Sequence, residues 1–390
     1  MIPRDAEAKI AEQAQKLPVV SITGPRQSGK TTLAKNAFPA YEYLSFENPD
    51  VRTLFNADPR GFLARHEGHV IFDEAQRVPE LFSYLQEMVD SGDEPGRFVV
   101  TGSQNFLLSK AVGQSLAGRV ALFTLLPLSC HELQHAGMTP RTAAEWVWRG
   151  GYPRIFGSRL EPVDFFPSYI ETYLQRDVRE ELGVRSLTAF MRFLRLCALR
   201  CGDMLNVAAL ASECDIDVKT ASGWLSILET SHIVYLLQPY FSNKRKRLVK
   251  RPKLYFLDTG LACSLAGLET PEDVGESGHF GHFFEAAVVS EVLKGFYAHA
   301  RTPQLSFWRD SNGREIDLLV EQGLRAIRAM EVKSGATYRD KHFDALSSIA
   351  RRELGLEPQQ CSVVYGGDVE AETQRGRAVP FWRTASLLPL

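Results

Sequence analysis

The chain has 390 residues, more than one comfortable core accommodates, and a prior of roughly 100 to 200 residues per domain predicts two to four domains. Hydrophobic residues make up 44% and charged residues 24%, ordinary for a globular protein, and the formal net charge of −2 excludes a global pull toward nucleic acid, so any basic surface is local. The six cysteines (Cys130, Cys197, Cys201, Cys214, Cys263, Cys361) contain no C-x-x-C pair, which argues against a zinc site or a disulfide framework and predicts a reducing compartment.

Residues 1–15 carry Asp5, Glu7, Lys9 and Glu12 among alanines, a helical pattern without the apolar centre of a signal peptide. No stretch approaches the ~20 apolar residues of a membrane span, so a cytoplasmic location is expected. The apolar run Pro18 to Thr23 then leads into Gly24-Pro25-Arg26-Gln27-Ser28-Gly29-Lys30-Thr31, followed by Thr32 at a helix start. Every fixed position of G-x-x-x-x-G-K-[ST] is met between a strand and a helix, which is a phosphate loop. Gly24 and Gly29 permit close backbone approach, Lys30 supplies a point charge for the outer phosphates, and Thr31 offers a hydroxyl to Mg²⁺.

Further apolar runs at 41–46, 69–72, 97–101 and 119–125 read as strands covered on both faces, and so as a parallel sheet between helices. The run ending Phe72-Asp73-Glu74 is a Walker B pattern: Asp73 is expected to hold Mg²⁺ through water and Glu74 to polarise the attacking water. In Phe98-Val-Val-Thr101-Gly-Ser103-Gln104, Ser103 is the first choice for positioning the lytic water, with Thr101 and Gln104 behind it and a plain helix N-cap as the competing account. Arg119, before the fifth strand, is an arginine-finger candidate set against a surface salt bridge. Arg154, after the Gly150-Gly151 turn, is a candidate for contact with nucleotide from a helical lid.

The blocks GPRQSGKTTLAK, VIFDEAQ, VVTGSQ, SLAGRVALF and GGYPR together resemble the bacterial and archaeal AAA+ ATPases that carry a C-terminal domain of unknown function with a nuclease-like core. The resemblance covers nearly the whole chain. It implies an AAA+ module over residues 1–158 with ATP as the nucleotide.

Residues 163–182 form an amphipathic helix within a helical linker placed at 159–190. Helical patterns at 206–213 and 219–229, joined by a tight turn and followed by strands at 233–237 and 253–257, spell a winged helix-turn-helix over 191–268. Lys219, Ser222 and Ser226 are expected to face outward, with Leu225 and Leu228 inward. Seven of the ten residues from 244 to 253 are basic: Lys244, Arg245, Lys246, Arg247, Lys250, Arg251 and Lys253. A wing of this charge predicts salt-sensitive, weakly sequence-specific DNA contact. The competing reading is a protein-binding module with a solvated charge run.

In residues 276–390, Glu285 lies on an apolar helix, while Glu315 and Asp317 share a face of a hairpin strand after Ser311-Asn312-Gly313. Glu331 and Lys333 share a face of the next strand. Glu285, Asp317, Glu331 and Lys333 have the order and spacing of a PD-(D/E)xK, restriction-endonuclease-like α/β domain, in which carboxylates bind Mg²⁺ and the lysine activates water. The alternative is a scaffold or DNA clamp in which Glu331 and Lys333 form a plain ion pair. The resulting expectation is an α/β, DNA-binding AAA+ ATPase using ATP and Mg²⁺, assembled as a homo-oligomer, a hexameric ring, because an arginine supplied in trans requires head-to-tail neighbours. Remodelling or translocation on DNA, in repair or defence, is the expected role. The alternatives are an ATP-gated Mg²⁺-dependent endonuclease, a STAND-like nucleotide-switched regulator, and a scaffold that binds ATP for stability.

Overall fold

A computed structural model describes residues 2–92, 94–103, 116–158, 160–174, 186–240, 251–323 and 325–389. The chain divides into two units, the first made of Met1–Leu128, Thr230–His232 and Phe296–Arg301, the second of Ser129–Glu229, Ile233–Gly295 and Thr302–Leu390.

The first unit is built on strands β1 (Val19–Thr23), β2 (Glu42–Ser45), β3 (Val70–Asp73), β4 (Phe98–Gly102) and β5 (Val120–Thr124), in the order β2-β3-β4-β1-β5. Every pairing is parallel, with Val19 opposite both Phe98 and Val120. Side chains alternate between two cores. Val19, Phe72, Phe98 and Val100 pack on one face with Phe46, Phe55 and Phe62, while Val20, Ile22, Ile71, Val99 and Phe123 pack on the other with Ile10 and Leu33. Burial on both faces is why the strands read as continuous apolar runs. In a parallel sheet all carboxyl ends lie along one edge, and the segments after β1, β3 and β4 therefore converge there.

The second unit carries an eight-stranded mixed sheet. Its strands are β6 (Val234–Pro239), β7 (Lys253–Phe256), β8 (Leu305–Arg309), β9 (Glu315–Gln322), β10 (Arg325–Lys333), β11 (Cys361–Tyr365), β12 (Ala371–Thr373) and β13 (Gly376–Pro380). The order is β12-β13-β11-β10-β9-β8-β6-β7. Helices Val207–Glu213 and Val218–Thr230 form the expected helix pair, with Asp215 in a left-handed turn and Asp217 accepting the Thr220 N–H at 2.8 Å. Trp224 is buried edge-on against Phe190 and Phe193.

Two segments pack with elements that sequence neighbours alone do not indicate. The hairpin β6–β7, expected as a wing, also extends the C-terminal sheet: Gln238 and Pro239 pair in parallel with Ser306 and Phe307. The short helices after residue 128, expected as a lid on the first domain, belong to the second unit. Aromatic packing accounts for this, since Tyr152 packs at tilted and edge-on angles among Phe165, Phe166 and Tyr169 and its hydroxyl lies 2.9 Å from that of Tyr169, while the Gly151 N–H donates to buried Asp258 at 2.8 Å. Among the described residues, no helix is long and apolar enough to cross a membrane.

Candidate functional site

The phosphate loop joins β1 to the helix Lys30–Ala37, and its backbone demands glycine twice. Gly24 has φ +144, and a Cβ there would lie 2.2 Å from the Leu125 carbonyl oxygen; Gly29, with φ +96, caps the helix without a side-chain acceptor. The helix therefore opens with N–H groups that no cap consumes, a ready anion site. Arg4 pins the loop from outside by donating to the carbonyls of Ser28 and Leu126, each at 2.7 Å. Pro25 and Ser28 are buried, Arg26 is half-buried, and Gln27 and Thr32 are exposed.

Lys30 is buried, with Nζ donating to the carbonyls of Gly24 (3.0 Å) and Pro25 (2.8 Å). Burial pushes its pKa down to about 8, against the opposing pull of Glu74 and Asp73. Two neutral carbonyls compensate a buried ammonium only in part, and a polyanion is its natural partner.

Asp73 closes β3 and accepts three hydroxyl hydrogen bonds. Thr31 donates at 3.0 and 3.2 Å to its two oxygens, Tyr43 at 2.7 Å, and Thr101 through a short contact. The Tyr43 hydroxyl is pushed up to about 12 by burial and by Asp73. Glu74 has φ 55, an uncommon left-handed conformation for a non-glycine residue, which turns its carboxylate out of the strand. It accepts from Gln76 Nε2 at 2.5 Å and from the Ser103 hydroxyl at 3.3 Å. Thr31 and Asp73 offer adjacent oxygens, the donor type that Mg²⁺ requires, so this pair fits the ion.

Lys30, Thr31, Asp73, Glu74 and Ser103 thus meet at the carboxyl edge of the sheet. Thr101 turns to Asp73 and Ser103 to Glu74, and Gln104 lies outside the described residues. Arg119 is elsewhere: it precedes Val120 at the opposite edge, about 16 Å of strand from the loop at ~3.3 Å per residue, and pairs with Asp90 at 2.5 Å. It does not serve the loop of its own chain. Arg154 is exposed on the helix Pro153–Gly157 of the second unit. Tyr43 and Gln76 carried no signal in the motif reading, although Gln76 stands two residues beyond Glu74. His232 also belongs to the first unit, where burial, and next the charge of Lys30, hold its pKa down to about 4.

In the second unit, Glu285, Asp317, Glu331 and Lys333 come together as expected from their spacing. The Lys333 ammonium lies 2.6 Å from Glu331 and 3.7 Å from Asp317, and Asp317 accepts the Val332 N–H at 2.7 Å. Burial raises the pKa of both Glu285 and Glu331, and the charge of Asp317 raises them further. Two residues of β7 join them. Lys253 donates to Glu285 at 2.9 Å and makes a short ion pair with Glu315, while the Tyr255 hydroxyl donates to the same Glu285 oxygen at 2.5 Å. Lys253 was expected on a DNA-facing wing; it is 5% exposed and points into the acids instead.

Glu285, Glu315 and Asp317 each bring an oxygen within 4.8 Å of the others, the spacing of a metal site. The Lys253 ammonium already bonds two of the three. A dication within about 4 Å of that ammonium would meet repulsion on the order of 8 kcal/mol at an effective dielectric near 20, so these residues do not fit Mg²⁺ while Lys253 stays in place.

Lys219, Ser222, Ser226 and Arg251 are exposed, while Leu225 and Leu228 are buried. Lys244, Arg245, Lys246, Arg247 and Lys250 lie outside the described residues.

Three families match successive stretches of the chain: an AAA domain over residues 16–134, a domain of unknown function (DUF8612) over 141–272 and a domain of unknown function (DUF4143) over 280–384. The uncharacterized protein Rv2008c of Mycobacterium tuberculosis is 33% identical over 372 residues, covering 94% of this chain and 80% of that protein, and Mb2031c of Mycobacterium bovis is similar to the same extent. The uncharacterized protein MJ1544 of Methanocaldococcus jannaschii is 23% identical, covering 98% of this chain and 90% of its own. Among solved structures, the Walker-type ATPase PABY2304 of Pyrococcus abyssi is 15% identical with a TM-score of 0.43, covering 68% of this chain and 96% of that one. The Thermotoga maritima RuvB Holliday junction branch migration motor is 19% identical with a TM-score of 0.30, covering 60% of this chain and 90% of its own. The chain therefore belongs to the same family as the two mycobacterial proteins, with an AAA domain of the P-loop ATPase type as its N-terminal part.

Proposed function

We propose that this protein hydrolyses ATP at its phosphate loop and uses the cycle to change how its second unit holds DNA. The observation that carries the reading is the meeting of Lys30, Thr31, Asp73, Glu74 and Ser103 at one edge of a parallel sheet, each tied to a neighbour by a hydrogen bond or a shared loop. Residues 24–32, Pro25 apart, wrap the phosphates with backbone N–H groups, and Lys30 exchanges its carbonyl partners for phosphate oxygens. Thr31 and Asp73 would hold Mg²⁺, which when bound would neutralise charge on the transferring phosphoryl group. Glu74 accepts the proton of the attacking water as an O–P bond forms and the bond to the β-phosphate oxygen breaks. Ser103 and Gln76 hold the Glu74 carboxylate in place for that transfer.

The exposed face of the helix Val218–Thr230, with Lys219 and Ser222, and the basic run 244–251 supply the phosphate contacts. Arg119, at the opposite edge from its own loop, acts on the nucleotide of a neighbouring copy in a homo-oligomeric ring. The second unit grips DNA without cutting it: Glu331 and Lys333 form the plain ion pair of a scaffold.

The test is steady-state phosphate release with and without duplex, single-stranded and branched DNA. Glu74→Gln is expected to lower turnover by about 10²- to 10⁴-fold with ATP binding intact. Undiminished turnover in that variant would remove Glu74 from the mechanism, and turnover that ignores every DNA would remove the coupling.

A further inference from the structure

The acids of the second unit are served by a strand that sequence assigns to a different domain. Lys253 and Tyr255, two residues apart on β7 and so on one face of it, both reach the same oxygen of Glu285, and Lys253 also holds Glu315. The lysine is nearly sealed from solvent, and the Phe307 ring centroid lies 5.4 Å from its ammonium. Lys333 plays the matching part on the far side, between Glu331 and Asp317. Among the described residues, one buried oxygen of the cluster is left over: Glu331 Oε2 accepts no hydrogen bond from them, in a residue 8% exposed. The cluster therefore keeps an unused ligand atom while its centre is taken by an ammonium.

We propose that Lys253 is the resident cation of this cluster, filling with a fixed ammonium the place a divalent metal would take, so that the second unit holds its acids without metal. The inference rests on the second unit alone and is independent of the ATPase reading. It also assigns β7 a positioning role. By bonding Glu285 and Glu315, Lys253 fastens the hairpin whose connecting residues 240–252 contain the basic run to the helix Phe280–Ala298 and to β9. A dication and this lysine compete for the same oxygens, and removing the lysine should uncover a metal site that the native sequence suppresses.

The test is Mn²⁺ binding to the full chain, followed by electron paramagnetic resonance without nucleotide, in an Asp73→Asn background that silences the phosphate loop. Wild-type and Asp317→Asn proteins are expected to bind Mn²⁺ equally weakly. Lys253→Met, which keeps the length and removes the charge, is expected to gain one saturable site at least about 10-fold tighter, lost again when Asp317→Asn is added. Lys253→Arg, which keeps the charge, is expected to gain none. A tight site in the wild type that disappears in Asp317→Asn overturns the proposal however the Lys253 variants fold. A folded Lys253→Met that gains no Mn²⁺ overturns it equally, as does Mn²⁺-dependent cutting of DNA by the wild type.

Discussion

Two buried lysines, one in each unit, show opposite solutions to the same problem. Lys30 is surrounded mainly by neutral loop carbonyls and loses proton affinity, whereas Lys253 is bracketed by carboxylates that outweigh its desolvation and raise its pKa. The first arrangement leaves a charge under-compensated in the fold and available to a ligand. The second spends the charge internally. A binding site and a structural ion pair therefore differ here in where the counter-charge comes from, more than in the residue that carries the positive charge.

The widest separation between them is expected in stability. Lys253→Ala strands Glu285 and Glu315 and should cost about 3–5 kcal/mol, whereas Lys30→Met should leave stability unchanged or raise it by up to about 3 kcal/mol. Urea titrations of the two variants decide this, and equal losses would erase the contrast. The pH dependence follows the same division. Below pH 8 the buried charge of Lys30 opposes folding in full, and that opposition fades as pH rises from about 8 to 10.5, because there the unfolded chain binds the extra proton. Lys253, with a raised pKa, contributes fully below 10.5 and loses its contribution as pH climbs past that value.

A smaller effect sharpens the contrast inside the acid cluster. Glu331 is raised by burial and by Asp317, so its contribution to folding is present below its ordinary 4.5 and is lost as pH rises. Glu331→Gln should therefore stabilise the protein by about 1 kcal/mol or more at pH 8 and by little at pH 5, as thermal melts at the two pH values would show. A larger gain at pH 5 would mean that Lys333 compensates Glu331 better than the geometry implies.

The smallest effect concerns what the self-neutralised cluster leaves for DNA. With the acids and their two lysines paired among themselves, the proposed polyanion contact would fall to exposed cations such as Lys219. Lys219→Ala should weaken retention of all duplex sequences alike and lower the slope of log affinity against log salt by about 1. An unchanged slope in filter binding takes Lys219 off the interface.

The nucleotide site was legible because its parts are local. A loop of eight residues and the pair Asp73-Glu74 each declare their chemistry within one turn of chain, and strand periodicity brings them to a common edge. What the motifs did not disclose is the second layer: Tyr43 reaches Asp73 only because β2 and β3 pair in register, Ser45 beside Asp73. Arg119 shows a different limit: its place before β5 was plain from the sequence, whereas its partner Asp90, 29 residues away along the chain, was not.

From its sequence alone this protein is committed to a phosphate loop, a Walker B acid pair, a doubly covered parallel sheet and a second sheet with three acids and a lysine at nuclease-like spacing. Tertiary structure decided the rest. It merged the hairpin β6–β7 with the C-terminal sheet, assigned the helices after residue 128 to the second unit, and turned Lys253 inward from a run of positive charge. The physical reason is that backbone conformation and strand periodicity are set by neighbours in sequence, whereas the partner of a buried charge is set by whichever opposite charge the packing brings within reach.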